Sequence, residues 1–174
     1  LCQWNLNCMA YKRLEEYGLI GNMHSAALVG RDGAIDWLCL PAFDSPAVFS
    51  AILDDEKGGS FSITSDDAHD RRQIYFPETN VLTTRFGGND SVAQITDFMP
   101  IGENGDSTGL SGNGSGRGNE RRLIRYVQGV MGQTRIRLEC RPRFNFGATA
   151  HTVAMSDAGV IFMSANGDRL SLSL

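Results

Sequence analysis

The sequence lacks any apolar run of the roughly 18 residues that a membrane-spanning helix requires. Its first residues, LCQWNLNCMA, also lack the basic and apolar regions of a secretory signal peptide. We therefore expect a cytoplasmic protein with no membrane partner. The chain begins with Leu1 instead of methionine, and its last residues, RLSLSL, stop within an alternating strand pattern. Both features predict a fragment that is truncated inside a sheet at its C-terminal end.

An excess of positive charge is absent as well. The 16 Lys and Arg residues are outnumbered by 20 Asp and Glu residues, which gives a net charge of -4. Nucleic-acid surfaces need clustered Lys and Arg, so this composition argues against a nucleic-acid partner. The arginines between positions 121 and 143 alternate with apolar residues, which is typical of a solvated strand face.

Cysteine and histidine are too few and too scattered to predict a metal site. The four cysteines form no Cys-x-x-Cys pair, and the three histidines are not spaced like zinc ligands. We therefore expect no metal and no cofactor. Cys39 and Cys140 lie in apolar strand-like runs, which favours free buried thiols. A disulfide between Cys2 and Cys8 is left open by the sequence.

Large apolar residues are nearly absent between residues 102 and 118, where seven of the 17 residues are glycine. Such a segment buries too little surface to offset the entropy lost on ordering, so a flexible loop is predicted. The segment does not match the Walker-type pattern of a phosphate-binding loop. Phosphate chemistry is therefore not expected here.

Many short runs of alternating polar and apolar residues are present instead. Ile136, Leu138 and Cys140, for example, are separated by charged residues, as in a strand with one buried face. The pattern predicts a mainly β protein with the architecture of an antiparallel β-sandwich. Hairpin turns are predicted at 31–33, 87–90, 129–132 and 166–168. The predicted strands are 25–29, 34–40, 60–64, 72–76, 80–87, 91–98, 121–130, 133–141, 150–155, 159–164 and 169–174.

One or two short helices are predicted among the strands. Residues 10–17 (AYKRLEEY) favour a helix that ends at Gly18. A second helix is predicted over Ala47–Leu53, because its apolar residues recur at helical spacing. Asp44 would cap this helix, and Pro46 suits the position near its first turn.

The run HSAALVGRDGAIDWLCLPAFDSPAVF, residues 24–49, carries the main candidates for a site. Asp36 stands beside Trp37 in a predicted strand, and an inward-facing Asp36 would need a hydrogen-bond partner or an Arg salt bridge. The aromatic residues of the chain suit either a core or a sugar-stacking platform, and a core is the commoner case. Asp97, at a strand end before Pro100, is interpreted as a carboxylate that caps a turn.

Seven motifs follow one another along the chain in an order that resembles one known domain. They are YGLIGN (17–22), AALVGRDGAIDWLCLP (26–41), FDSP (43–46), GGSF (58–61), ITDFMP (95–100), VQGV (127–130) and RPRFNFG (141–147). The set is similar to the trehalase-like N-terminal domain of glycoside hydrolase family 15, a family of glucoamylase-, glucodextranase- and trehalase-like proteins. The resemblance covers residues 11–174 and leaves residues 1–10 as an N-terminal extension.

The resemblance implies a supersandwich-like β-sandwich that is followed by a catalytic (α/α)6 helical barrel. The catalytic glutamates of the family lie on that barrel, so the resemblance implies that this chain alone is inactive. It also implies two partners, the barrel domain of the same parent chain and trehalose or another α-glucoside. The chain departs from the family at Ala42, where a basic residue is usual, and at 102–118, where a shorter stretch is usual.

Two hypotheses for function follow. The first is a non-catalytic N-terminal domain that packs against and shapes a catalytic barrel acting on trehalose or α-glucans. The second is a stand-alone carbohydrate-binding or protein-interaction module, which exposure of Trp37 and Phe43 would favour and their burial would count against. The candidate substrate-proximal or domain-interface residues are Asp36, Trp37, Pro41, Phe43 and Asp44.

Overall fold

The strands of the computed structural model follow the predicted alternation closely. The structure describes residues 11–101 and 121–174, which contain a 3-10 helix at Leu14–Glu16 and thirteen β-strands. Residues 1–10, with Cys2 and Cys8, and the glycine-rich segment 102–118 lie outside the described residues. The strands are β1 (Tyr17–Gly21), β2 (Ala26–Gly30), β3 (Ala34–Cys39), β4 (Ala47–Phe49), β5 (Ser60–Ser65), β6 (Asp70–Tyr75), β7 (Leu82–Gly87), β8 (Val92–Phe98), β9 (Ile124–Met131), β10 (Ile136–Arg141), β11 (His151–Ser156), β12 (Gly159–Ser164) and β13 (Arg169–Leu172).

These strands form three antiparallel sheets. A six-stranded sheet has the order β1-β2-β3-β5-β10 with β4 beside β3, a four-stranded sheet runs β6-β7-β8-β9, and a three-stranded sheet runs β11-β12-β13. The core joins Ile35 and Ile63 of the six-stranded sheet to Phe86 and Ile95 of the four-stranded sheet. The three-stranded sheet contacts the same core through Phe162. The prediction of a mainly β, antiparallel sandwich is therefore confirmed.

The helix predicted over Ala47–Leu53 is wrong. Residues 47–49 form β4, which pairs with β3 and is buried along its whole length. Leu53 lies in the turns that follow and is 62% exposed, so the apolar spacing did not mark a buried helix face. Asp44, the predicted cap, is exposed. The other predicted helix, over 10–17, is reduced to the three-residue 3-10 helix.

The hairpin predicted at 129–132 is also wrong, although both of its strands exist. β9 pairs with β8 in the four-stranded sheet, whereas β10 pairs with β5 in the six-stranded sheet. Residues 132–135 therefore carry the chain from one sheet to the other. Alternation identifies a strand and its buried face, but it does not specify the pairing partner. The hairpins at 31–33, 87–90 and 166–168 are confirmed.

A buried ion pair joins two neighbouring strands of the four-stranded sheet on the face that packs against the six-stranded sheet. Asp97 of β8 is 0% exposed, and Arg125 of β9 binds it with two hydrogen bonds. Nε donates to Oδ1 at 2.8 Å and Nη2 donates to Oδ2 at 3.2 Å. Asp97 therefore lies in the core and does not cap a turn as predicted. Burial raises the pKa of the Asp97 carboxyl, and the Arg125 guanidinium opposes that rise.

The same guanidinium also holds the six-stranded sheet and its β2–β3 turn. Arg125 Nη1 donates to the carbonyl of Phe61 at 2.8 Å, and Nη2 donates to the carbonyl of Gly33 at 2.7 Å. Its Cζ lies 4.8 Å from the centroid of the Phe61 ring, which adds a cation–π contact. One side chain thus ties β8 and β9 to β5 and the β2–β3 turn.

Candidate functional site

Three loops meet at one end of the six-stranded sheet, and we name their combined face the loop surface. The loops are residues 22–25 between β1 and β2, 40–46 between β3 and β4, and 142–149 after β10. The amide of Phe43 donates to the carbonyl of His24 at 2.8 Å, which joins the first two loops. The amide of Arg143 donates to the carbonyl of Val48 at 2.8 Å, which places the third loop beside β4. The loop surface is therefore positioned by main-chain hydrogen bonds.

Short polar side chains hold the first two loops in shape. Asn22 Oδ1 accepts from the amides of His24 at 3.2 Å and Ser25 at 3.0 Å. Ser45 Oγ accepts from the amide of Ala42 at 3.1 Å. Asn and Ser stabilise tight turns in this way, because they replace main-chain partners that a sheet would supply. The geometry of this surface is thus encoded locally.

The third loop contains consecutive residues in the left-handed region of backbone space. Asn145 has φ 53, Phe146 has φ 56 and Gly147 has φ 84. A residue with a Cβ pays roughly 1–2 kcal/mol for this conformation, and Phe adopts it rarely. The result is that the Phe146 ring lies 6.2 Å from the Trp37 ring while 49% of Phe146 stays exposed. Backbone strain of this kind concentrates at functional sites, so Phe146 joins the candidates.

The structure brings four of the five predicted site residues to the loop surface. Trp37 is partly buried beside Phe146, Phe43 is 59% exposed, and Pro41 and Asp44 are exposed. Phe146, which lies in the RPRFNFG motif, was not among the predicted site residues, although the Asn-Phe-Gly triplet around it is a turn signal. The loop surface therefore presents aromatic side chains on a backbone that is tightly fixed.

Asp36, the fifth predicted residue, belongs to a different cluster. Trp37 lies opposite Leu28 and Ile35 lies opposite Val29, so Asp36 is the extra residue of a β-bulge in β3. A bulge re-aims the side chain it carries. We name the group that receives Asp36 the Lys12 cluster, which consists of Lys12, Tyr17, Asp32 and Asp36.

The Lys12 cluster is a closed electrostatic network. Lys12 Nζ lies 2.6 Å from Asp36 and 2.7 Å from Asp32, and the Tyr17 hydroxyl donates to Asp36 at 2.7 Å. Two close carboxylates can act as an acid–base pair, but here both are engaged by the same ammonium. Burial and the hydrogen bond to Asp36 raise the pKa of Tyr17, so its hydroxyl remains a donor. Asp36 thus has the partners that the sequence required, with a lysine in place of an arginine.

Replacing Lys12 with methionine is expected to lower the free energy of unfolding by about 1–3 kcal/mol, because Asp36 is buried and would lose its cation. Urea denaturation measures this loss. The neighbouring Arg13→Met is the matched control, since Arg13 pairs with Glu15 in solvent and such pairs contribute little. Equal losses in the two variants would show that the cluster adds nothing specific.

The described residues offer little else for chemistry. Residues 11–101 and 121–174 contain no group of three or more His, Cys, Asp or Glu side chains that could hold a metal ion. The same ranges contain no helix of sufficient length and hydrophobicity to span a membrane. A cleft of about 370 Å³ opens between β9 and β10, lined in part by Val127, Met131 and Ile136. Its lining has no ionisable side chain, so it provides no acid or base.

The two described cysteines are free thiols, as predicted. Burial raises the pKa of Cys39. Burial also raises the pKa of Cys140 to about 11, and the charge of Arg125 only partly offsets this. Because the thiolate is the reactive form, neither cysteine is suited to nucleophilic chemistry near neutral pH.

Comparisons with known proteins place the chain among longer proteins. The family model described as "Trehalase-like, N-terminal" matches residues 3–172. A trehalase of Thermoplasma volcanium is 37% identical over 155 residues, which are 87% of this chain and 23% of that protein. A trehalase of Thermoplasma acidophilum is 38% identical, covering 78% and 22% of the two chains. Trehalase 1 of Sulfolobus acidocaldarius is 35% identical, covering 87% and 23%.

The chain therefore spans about a quarter of the length of the curated relatives it matches. No solved structure matches it.

Proposed function

Because the chain belongs to the trehalase-like N-terminal domain family, we propose that it serves as the non-catalytic N-terminal domain of a trehalase. The resemblance noted from the motifs is confirmed by the family match. The relatives named above are trehalases, which supports trehalose as the substrate of the whole protein. Their greater length supports a catalytic domain beyond the region that this chain matches.

The loop surface is the observation that carries this proposal. Its backbone adopts strained left-handed conformations at Asn145 and Phe146, and these hold the Phe146 ring against Trp37 at the surface. Phe43 and Phe146 are both about half exposed, as expected for side chains that contact a partner domain in the whole protein. We infer that this surface contacts the catalytic domain beside its substrate entrance and shapes that entrance.

The bond cleavage itself is assigned to the catalytic domain. Hydrolysis of a glucoside requires a carboxylic acid that protonates the leaving oxygen and a carboxylate that directs water to the anomeric carbon. The close carboxylates Asp32 and Asp36 are both ion-paired with Lys12, which makes them unsuited to those roles. Residues of this chain would position the entrance. A cytoplasmic location is part of the same proposal.

The full-length protein is expected to release glucose from trehalose faster than from maltose or dextrin. Within it, Phe43→Ser should lower kcat/KM for trehalose about tenfold, which equals about 1.4 kcal/mol of transition-state stabilisation. The matched control is Tyr11→Ser, because Tyr11 is 56% exposed but lies outside the loop surface. A folded full-length protein that leaves trehalose intact would disprove the proposed substrate.

A stand-alone binding module is the second candidate, and the exposure of Phe43 favours it. Trp37 counts against it, because this ring is partly buried beside Phe146. Calorimetric titration of the full-length protein and of its Phe43→Ser variant with a maltooligosaccharide separates the two functions. Saturable binding that Phe43→Ser abolishes while trehalose hydrolysis is unchanged would support the module.

A further inference from the structure

We propose that the catalytic domain of the same protein also covers the outer face of the four-stranded sheet, where apolar side chains form two exposed rows. This inference rests on the proposed function. Residues that pair directly in an antiparallel sheet point to the same face, so the strand register shows which side chains stand together. In this sheet the inner face holds Leu82, Phe86 and Ile95, all of them buried in the core.

The two rows lie on the opposite, outer face. The first row is Phe76, Val81, Phe98 and Ile124, in which Phe98 pairs with Ile124 and the amide of Phe76 donates to Val81. The second row is Ile74, Thr83, Thr96 and Tyr126, paired strand by strand. Several members are open to solvent: Ile74 is 70% exposed, Tyr126 58%, Phe76 51% and Ile124 37%.

A polar row borders the two apolar rows on one side. The next row along the strands is polar and basic, and it consists of Arg72, Arg85, Gln94 and Gln128. The apolar end adjoins the loop surface, because Asn80 in the β6–β7 turn donates to the carbonyl of Gly21 at 3.0 Å. Gly21 leads directly into the first loop of that surface. One partner can therefore contact the loop surface and both apolar rows together.

The chemistry of the rows fits a protein partner better than a glucoside. A sugar site combines stacking rings with polar groups for the hydroxyls, whereas these rows contain aliphatic Ile74, Val81 and Ile124. The Thr83 hydroxyl is buried and has no hydrogen-bond partner among the described residues, so it is not available to a sugar in solvent. The arginines at the rim favour acidic groups on the partner.

The patch has the size of one part of an interface between domains of one chain. Four strands and two rows span about 14 Å by 7 Å between Cα positions, before the side chains are included. Exposed apolar patches of this kind mark interaction sites in soluble proteins, and domain interfaces are built from them. The relatives are long enough to contain a second domain that could cover this face, because this chain covers only 23% of the Thermoplasma volcanium trehalase.

Hydroxyl-radical footprinting of the full-length protein tests the covered face. Tyr126 and Tyr11 are matched probes, since they are 58% and 56% exposed in this domain. If the catalytic domain covers the rows, Tyr126 should oxidise at least fivefold more slowly than Tyr11, and Phe76 should be protected as well. Equal oxidation of Tyr126 and Tyr11 in a protein that hydrolyses trehalose would overturn the inference and leave the proposed function standing.

A pair of variants provides an independent readout. Ile74→Arg places a charge in the second row, whereas Leu14→Arg places one on the 77% exposed Leu14 of the 3-10 helix. Ile74→Arg should shorten the heat-inactivation half-life of the full-length trehalase severalfold, and Leu14→Arg should not. Equal half-lives would count against the interface. Protection of Tyr126 in a folded full-length protein without trehalase activity would instead contradict the proposed function, while it would still support the covered outer face.

Discussion

Replacing Arg125 with methionine is expected to lower the free energy of unfolding by about 3–5 kcal/mol. The change leaves Asp97, which is 0% exposed, without its cation. It also removes the donors that bind the carbonyls of Phe61 and Gly33, so two sheets lose a shared partner at once. Urea denaturation of the wild-type and variant proteins, followed by tryptophan fluorescence, measures the loss.

Two further variants separate charge from geometry at this site. Arg125→Lys keeps the positive charge, but an ammonium cannot reproduce the planar guanidinium that donates to Asp97 and two carbonyls. We therefore expect a loss of unfolding free energy smaller than that of Arg125→Met. In the double variant with Asp97→Leu, part of the loss should be recovered, because no buried charge remains unpaired. A loss below about 1 kcal/mol in Arg125→Met would contradict the role assigned to the ion pair.

The pH dependence of Arg125→Met gives a second check. Burial already raises the pKa of Asp97, and loss of the guanidinium removes the group that opposes this rise. In the variant the folded state therefore binds a proton more tightly than the unfolded state. The contribution of Asp97 to the stability of the variant should be fully present below the unfolded pKa of about 3.9 and should be lost as the pH rises through the folded value.

Gly33→Ala is expected to lower the free energy of unfolding by about 2–5 kcal/mol, because backbone strain and overpacking both contribute. Gly33 has φ 83 in the β2–β3 turn, a conformation that a side chain disfavours. An added Cβ would also overlap the carbonyl oxygen of Ile63 and approach the Phe86 ring to 2.9 Å. The same turn presents the Gly33 carbonyl to Arg125, so a shifted turn would weaken the ion-pair network too.

Gly167→Ala is the matched control for this prediction. Gly167 has φ 94, but an added Cβ there meets nothing within 4 Å. Only the backbone strain remains, so the free energy of unfolding is expected to fall by about 1–2 kcal/mol. Equal losses at Gly33 and Gly167 in urea denaturation would show that the contacts of the Gly33 turn are not tightly packed.

The strands were predictable because their patterns are local. In β5 and β8, every second residue is buried and its neighbours are only partly so, which is the alternation visible in the sequence. β4 could not be recognised in this way, because all three of its residues are buried and their spacing also suits a helix. The partner of β10 was equally hidden, since pairing with β5 depends on residues about seventy positions away.

The candidate site was predictable in part for the same reason. Trp37 and Phe43 were named as candidates because they stand in a motif-rich run of the sequence. Phe146 lies in the RPRFNFG motif, but it was not named as a site residue because its contact with Trp37 depends on a left-handed backbone. The sequence called for a hydrogen-bond partner or an arginine beside Asp36, but it did not identify Lys12, since nothing local connects Lys12 to a bulge in β3.

The ion pair between Asp97 and Arg125 has a consequence for synthesis of the protein on the ribosome. The two residues are 28 positions apart in sequence. At about 5–20 residues per second, Arg125 is added roughly 1–6 seconds after Asp97. During that interval β1–β8 have already been made, and their apolar inner faces lack the side chain that joins the two sheets. Exposed apolar strand faces favour aggregation, so this interval is one in which the nascent chain is open to it.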